Sequence, residues 1–258
     1  TSIIMSDLVT SIGNHAFFCC YGLTTLVLSK SLEQIENKVF SDCHNLTSVV
    51  IPNSVDYIDL DAFCDCFELT SVTLSNTLKV IEPHAFLGCR KLTSIEIPDS
   101  VEWIGSMAFE GCSRMASLKL SSALTCISES SFSGCSELTS LQIPDSVESI
   151  EEWAFSFCYK LASLKLSSSL RRIGKYAFKD CYELTSLQIP DSVEYIGRDA
   201  FSFCYKLASV NIPSSIQKIG KNAFRGCRAL ASLKIPDSIE YVEDEIQEWD
   251  PLRLEVPV

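Results

Sequence analysis

The chain has 258 residues, a formal charge of −12, 47% apolar residues and 21% charged ones. The acidic balance argues against a nucleic-acid partner, which needs a basic stripe, and disfavours an anionic membrane surface, and no apolar run approaches the roughly 20 residues that span a bilayer, so no direct membrane insertion is expected of this segment.

From the start of the chain, Thr1 to Thr10 carries neither the basic region nor the cleavage pattern of a signal peptide. Val9 and Ile12 fall into apolar columns that recur later. Thr1 therefore enters partway through a repeat with no polar capping sequence, and more protein, or a partner, is expected before it.

From Cys20 onward the chain keeps one beat. Cys20, Cys43, Cys66, Cys89, Cys112, Cys135, Cys158, Cys181, Cys204 and Cys227 recur every 23 residues, with a phenylalanine three positions before each, from Phe17 to Phe224. Aliphatic columns follow each cysteine at fixed offsets, as in Leu138, Leu141, Ile143, Val147 and Ile150. A strict period of this size marks a solenoid, and L-x-x-L-x-L is the leucine-rich-repeat signature whose alternating residues form a short strand in a parallel sheet. A coil of 23 residues has no room for a full outer helix. The return should be a short extended V-x-x-I piece and one helical turn at A-F-x-x-C, giving nearly equal widths on the two faces and gentle curvature.

A second period overlies the first. Pro52, Pro98, Pro144, Pro190 and Pro236 recur in every second coil, while Ser29, Ser75, Ser121 and Ser167 occupy that column in the coils between. Residues 1–239 are expected to form one solenoid of ten cysteine-marked coils plus a partial N-terminal coil. After Ile239 the pattern lapses, and residues 240–258 are expected to form a C-terminal cap.

The thirteen cysteines do not read as a metal or disulfide framework. Ten share one column beside core phenylalanines, where a free thiol behaves as a small hydrophobe, and parallel Cβ vectors about 4.8 Å apart suit a disulfide poorly. Cys19, Cys64 and Cys126 stand outside the column and are expected to be more exposed and reactive. His15 and His84 share a column three coils apart, too far to share a metal, and Asp59, Asp61 and Asp65 lack the pattern of a calcium loop. No nucleophile, base and oxyanion donor converge, so neither an enzyme nor a cofactor is expected.

What remains is surface. One exposed position per strand varies, from Val27, Val50 and Thr73 to Glu96, Lys119, Gln142, Lys165, Gln188, Asn211 and Lys234. This is the pattern of a flat protein-binding face, and equally of a solvated sheet. Tyr159, Tyr182 and Tyr205 directly follow three successive cysteines; they are either interface anchors or rings stacked on their own copies in the next coil. The alternating signs of Glu137, Lys160, Glu183 and Lys206 are expected to form ion pairs between coils.

The pattern I-P-x-S-[VI]-x-x-I-G-x-x-A-F-x-x-C-x-x-L, carried by residues 189–207 and 212–230, resembles the BspA-like leucine-rich repeat over nearly the whole chain. The resemblance implies a right-handed parallel β-solenoid with a short extended or 3-10 convex side and no catalysis, commonly on cell surfaces and associated with adhesion to protein partners. The glycine after the isoleucine is replaced at Glu36, Asp59, Glu82, Ser128 and Glu151, which implies altered convex turns there. An intracellular scaffold or structural subunit is the alternative, since an oxidising compartment selects against ten unpaired thiols.

Overall fold

The computed structural model describes residues 1–236 and Ile239, and the expected cap at 240–258 lies outside them. Three-residue strands, from Ser2–Ile4 to Ser209–Asn211, alternate along the chain with two-residue strands, from Gln34–Ile35 to Lys218–Ile219. Every pairing is parallel and joins residues one repeat apart, as in Leu141 with Leu164 and Ile150 with Ile173. Among the described residues there is no helix. The architecture is the parallel β-solenoid that the period predicts.

The two faces pair differently. The two-residue strands form ladders of four and five, whereas the three-residue strands join in twos, such as Ser48–Val50 with Ser71–Thr73 and Ser94–Glu96 with Ser117–Lys119. Four of these five pairs begin in a proline coil, and in three of them the residue after the strand donates onward: Ile51 N–H to Thr73 O at 2.8 Å, Ile97 N–H to Lys119 O at 2.9 Å and Ile143 N–H to Lys165 O at 2.8 Å. The doublet in the sequence is thus a doublet in the sheet.

The core is a set of columns rather than a centre. Phe40, Phe63, Phe86, Phe109, Phe132, Phe155, Phe178 and Phe201 are fully buried, and their rings stack along the molecule at 5.2–5.4 Å. Burial of each ring contributes about 1.5–3 kcal/mol, and each offset stack about 0.5–1.5 kcal/mol more. Each coil can bury its ring only between two others, so the columns stabilise the stack and not the single repeat.

The turn into the cysteine departs from the expected single helical turn. Alternate residues donate in different directions: Lys38, Phe40 and Asp42 to Leu60, Ala62 and Cys64 of the next coil, and Val39, Ser41 and Cys43 to carbonyls three residues back. This alternation requires left-handed backbone at two positions per coil. One column runs His15, Lys38, Asp61, His84, Met107, Ser130, Trp153, Tyr176, Asp199 and Asn222, with φ between 52° and 61°. The other, just before the cysteine, includes Cys19, Asp42, Asp65, Phe157, Asp180 and Phe203 together with Gly88, Gly111, Gly134 and Gly226.

The missing glycines leave one backbone bond of the convex turn in place in three coils. Asp59, Glu82 and Glu151 donate their N–H to the isoleucine of the preceding coil at 2.8–2.9 Å, as Gly105 and Gly174 do at 2.7–2.8 Å. Ser128 instead gives its hydroxyl to Ile104 O. At Gly105, Gly174, Gly197 and Gly220, by contrast, an added Cβ would come within 2.3–2.6 Å of the preceding coil's backbone, so glycine is required in those coils and the turn there is tighter than where a side chain is present.

Candidate interaction surface

The variable strand column lies where the alternation puts it. Glu96, Lys119, Gln142, Lys165, Gln188 and Asn211 are each the third, exposed residue of a strand whose middle residue turns inward, and Lys234 is exposed beyond the last of these strands. The adjacent serines Ser94, Ser117, Ser140, Ser163, Ser186 and Ser209 are exposed as well. Glu96 pairs with Lys119 across the sheet, both side chains being mostly in water. At the N-terminal end the same column turns apolar, with Val50 63% exposed. The result is a face on which a row of serines runs beside a row of longer polar and charged side chains.

The tyrosines form the stack that was the second of the two expectations for them. Tyr159 to Tyr182 and Tyr182 to Tyr205 are each 4.9 Å between ring centroids, and the Arg228 guanidinium lies 5.0 Å over the Tyr205 ring. The same column begins with a similar ladder, Tyr21 on His44 at 4.8 Å and His44 on Phe67 at 4.5 Å, closed by Arg90 over Phe67 at 4.7 Å. Between the two ladders the column holds Ser113 and Ser136. Stacking covers the faces of the middle rings and leaves edges and hydroxyls toward solvent, so stacking and exposure coexist; Tyr159 is 39% exposed.

Aromatic residues from the left-handed columns extend the second ladder, and the sequence reading missed them. Trp153 stacks on Tyr176 at 4.1 Å, Phe157 meets Tyr159 edge-on at 6.2 Å, and Phe203 meets Tyr205 in the same way at 6.2 Å. The Lys179 ammonium sits over three of these rings, 5.4 Å from Trp153, 5.5 Å from Tyr176 and 6.0 Å from Phe203, and Arg225 lies 5.7 Å from Phe203. A bulky residue in left-handed backbone costs about 1–2 kcal/mol, and four aromatics in three successive coils, Trp153, Phe157, Tyr176 and Phe203, accept that cost here. The signal available in sequence was that Phe157 and Phe203 occupy a column otherwise held by glycine, aspartate and one cysteine.

The thiol column is structural. Each cysteine from Cys43 to Cys227 directs its Sγ–H at the carbonyl of a phenylalanine in the coil before, as in Cys66 to Phe40 at 3.3 Å and Cys89 to Phe63 at 3.3 Å. Burial pushes Cys43 and Cys158 up to about 12 and holds Cys66, Cys89, Cys112, Cys135, Cys181 and Cys204 well above the ordinary thiol value. All thirteen cysteines are free. Of the three outside the column, Cys64 is half-buried and burial, reinforced by Asp65 and Asp61, pushes it up to about 12; burial also raises Cys126. That opposes the reactivity expected of these two, since the thiolate is the nucleophile. Cys19 is a left-handed turn residue in the column of Asp42 and Gly88.

The histidines are turn residues too. His15 and His84 belong to the first left-handed column, which short polar side chains tolerate, and His84 Nδ1 contacts Asp61 Oδ1 at 3.1 Å. Among the described residues no three His, Cys, Asp or Glu side chains gather as a metal site would require. The ion pairs between coils are present at Glu137 with Lys160, 2.5 Å, and Glu183 with Lys206, 2.6 Å. An open polar groove of about 430 Å³ beside the two-residue strands is lined by Glu148, Arg171 and Glu194, with Arg171 3.6 Å from Glu194. Among the described residues no helix is long and apolar enough to cross a membrane.

Comparison with known proteins agrees with this architecture. A leucine-rich repeat protein from Bacteroides ovatus superposes with a TM-score of 0.64 at 26% identity, over 90% of this chain and 78% of that one. The leucine-rich repeat protein of T. pallidum gives 0.59 at 30% identity, over 71% and 77% of the two chains. The pneumococcal vaccine antigen PcpA shares the fold alone, with a TM-score of 0.53 at 22% identity over 92% and 72%. No curated protein sequence matches the chain significantly. The family model for the BspA type leucine rich repeat region, six copies long, matches residues 1–113, 58–183 and 125–248. With its columns of phenylalanine and cysteine continuous through all three matches, the chain belongs to the BspA-type leucine-rich repeat family.

Proposed function

We propose that this chain is a noncatalytic protein-interaction module that binds through broad surface complementarity. The observation that carries the reading is the exposed edge of the coils, which carries both the strand column from Glu96 to Asn211 and the tyrosine ladder, Tyr159 being 39% exposed. Leucine-rich solenoids present varied surfaces on one frame, which favours a protein partner over a small molecule. Resemblance to BspA-like surface proteins supports a role in adhesion at a cell surface.

A second setting, an intracellular scaffold or structural subunit, is favoured by one specific observation: a column of buried, protonated, unpaired thiols. Antibody labelling of intact against permeabilised source cells separates the two. Labelling of intact cells supports adhesion; labelling only after permeabilisation removes it. The interaction reading itself is tested by placing a photo-crosslinking residue at Tyr182, at Lys165 and, as a control on the other face, at Arg172. Crosslinks to protein from the first two positions and not the third are expected, and none from any of them would overturn the reading.

A further inference from the structure

The two aromatic ladders in the column after the cysteines share a design but not a charge. Around the first, the left-handed positions beside the rings hold Asp42 and Asp65, and Asp42 contacts His44 at 3.2 Å. Around the second, those positions hold Phe157 and Phe203, and the aspartate between them, Asp180, is buried. The cations there are Lys179, Arg225 and Arg228. Each lies over an aromatic ring, and none is within ion-pair distance of a carboxylate among the described residues, whereas nearby Lys160, Lys175 and Lys206 are all paired with glutamates. In a chain of net charge −12, three cations left on ring faces form a local positive patch.

The rings add to that sign. An aromatic ring is electron-rich on its faces and positive at its edge. Tyr182 has Tyr159 on one face and Tyr205 on the other, and Trp153 lies against Tyr176. With faces taken up by stacking and by cations, the patch offers solvent its positive edges, tyrosyl hydroxyls and ammonium or guanidinium groups. All three suit carboxylates. The apolar edges of Trp153, Phe157 and Phe203 suit an apolar side chain next to such a carboxylate. A saccharide, which packs its C–H groups on open ring faces, finds few here.

We propose that the patch formed by Trp153, Phe157, Lys179, the Tyr159–Tyr182–Tyr205 ladder, Phe203, Arg225 and Arg228 docks a short acidic segment of a partner protein, with carboxylates beside apolar side chains. Three coil steps from Tyr159 to Arg228 cover about 14 Å, the length of about four extended residues. This proposal rests on the protein-interaction reading above and assigns it a place and a partner chemistry.

The test is selection of displayed random dodecapeptides on the full chain, followed by measurement of each selected peptide against three variants. One replaces the patch cations while keeping their stems (Lys179→Met, Arg225→Gln, Arg228→Gln), one removes the cation of the first ladder (Arg90→Gln), and one reverses a strand-face charge (Lys165→Glu). The replaced cations reach the surface, and an unchanged circular dichroism spectrum and urea midpoint confirm folding. The expected result is enrichment of aspartate or glutamate adjacent to aromatic or leucine residues. Binding should weaken about tenfold or more in the triple variant and as salt rises from 50 to 500 mM, with Arg90→Gln silent. Selected peptides that lack carboxylates, or that ignore the triple variant, overturn the proposal. Peptides lost only with Lys165→Glu overturn it while leaving the wider interaction reading in place. Capture of heparin but no peptide by the same cations overturns it in favour of a sulfated polysaccharide. If no peptide is selected, the proposal fails, and the wider reading fails with it only when the crosslinking positions are silent too.

Discussion

Raising the pH from 8 to 10 should unfold this protein through its cysteines. Cys43, Cys66, Cys89, Cys112, Cys135, Cys158, Cys181 and Cys204 all have thiols raised by burial from an ordinary value of 9.0. Their folded pKa lies above the unfolded one, so the stabilisation is fully present below pH 9 and is lost as pH rises from there toward the folded value. At pH 10 an unfolded chain gains about 1.4 kcal/mol for each thiol it releases, because the folded state keeps all of them protonated. Eight thiols released together amount to about 11 kcal/mol, comparable to the whole stability of an ordinary domain. The assay is urea unfolding followed by far-UV circular dichroism, under reductant, from pH 7 to 10, for the wild type and for Cys112→Ser. Serine keeps a donor for the Phe86 carbonyl, which Cys112 now meets at 3.4 Å, but does not ionise. Tyrosines and lysines are common to both proteins and cancel. The stability difference between the two should shift in the variant's favour by about 1.4 kcal/mol in all from pH 7 to 10, about 1 kcal/mol of it above pH 9. A difference that stays constant to pH 10 would refute the reasoning.

Other perturbations test other columns. Phe132→Ala, in the middle of the ring stack, should cost about 3–5 kcal/mol in the same urea assay, because rigid coils on both sides prevent collapse of the cavity. Gly134→Ala should cost about 1 kcal/mol, since φ is +74° there although the space for a methyl group exists. Phe157→Gly should change stability by less than about 1 kcal/mol, because relief of the left-handed backbone offsets the lost edge contact with Tyr159, and yet it should weaken binding to any peptide selected on the aromatic patch. Lys119→Ala should cost less than about 1 kcal/mol, its pair with Glu96 being 64% and 70% exposed, and a larger loss would mean that the strand face is held together by charge.

The columns that face inward were legible because burial restricts them to a few residue types. Phe40 to Phe201, Cys43 to Cys204 and the aliphatic positions announce themselves by identity, and so do the charge pairs between coils. The left-handed columns were not legible in that way. Their requirement falls on the backbone, so His84, Met107, Ser130 and Trp153 satisfy the same φ with nothing in common as side chains. His15, Cys19, Asp61 and Asp65, which stand out in the sequence by residue type, all prove to be left-handed turn residues. The strand column and Tyr159, Tyr182 and Tyr205 were placed on the surface correctly by alternation and spacing. The cluster with Lys179, Trp153 and Phe203 was out of reach, because its members come from different columns of three coils and meet only through the stacking of one coil on another.

The two arginine-closed ladders stand six coils apart, which at one strand spacing per coil is about 29 Å. That distance is a count rather than a contour. No loop or linker sets it, because the bonds between coils join one coil to the next at near-equivalent positions, as in Lys38 to Leu60 and Glu82 to Ile58. Removing one proline doublet, such as residues 98–143, would bring Tyr159 about 10 Å closer to Phe67 and leave the kinds of contact between coils unchanged. Adding one would move them apart by the same step. A partner or pair of partners touching both ladders would therefore be measured by a molecular ruler graduated in coils, whose length can change by duplication or loss without the fold being redesigned.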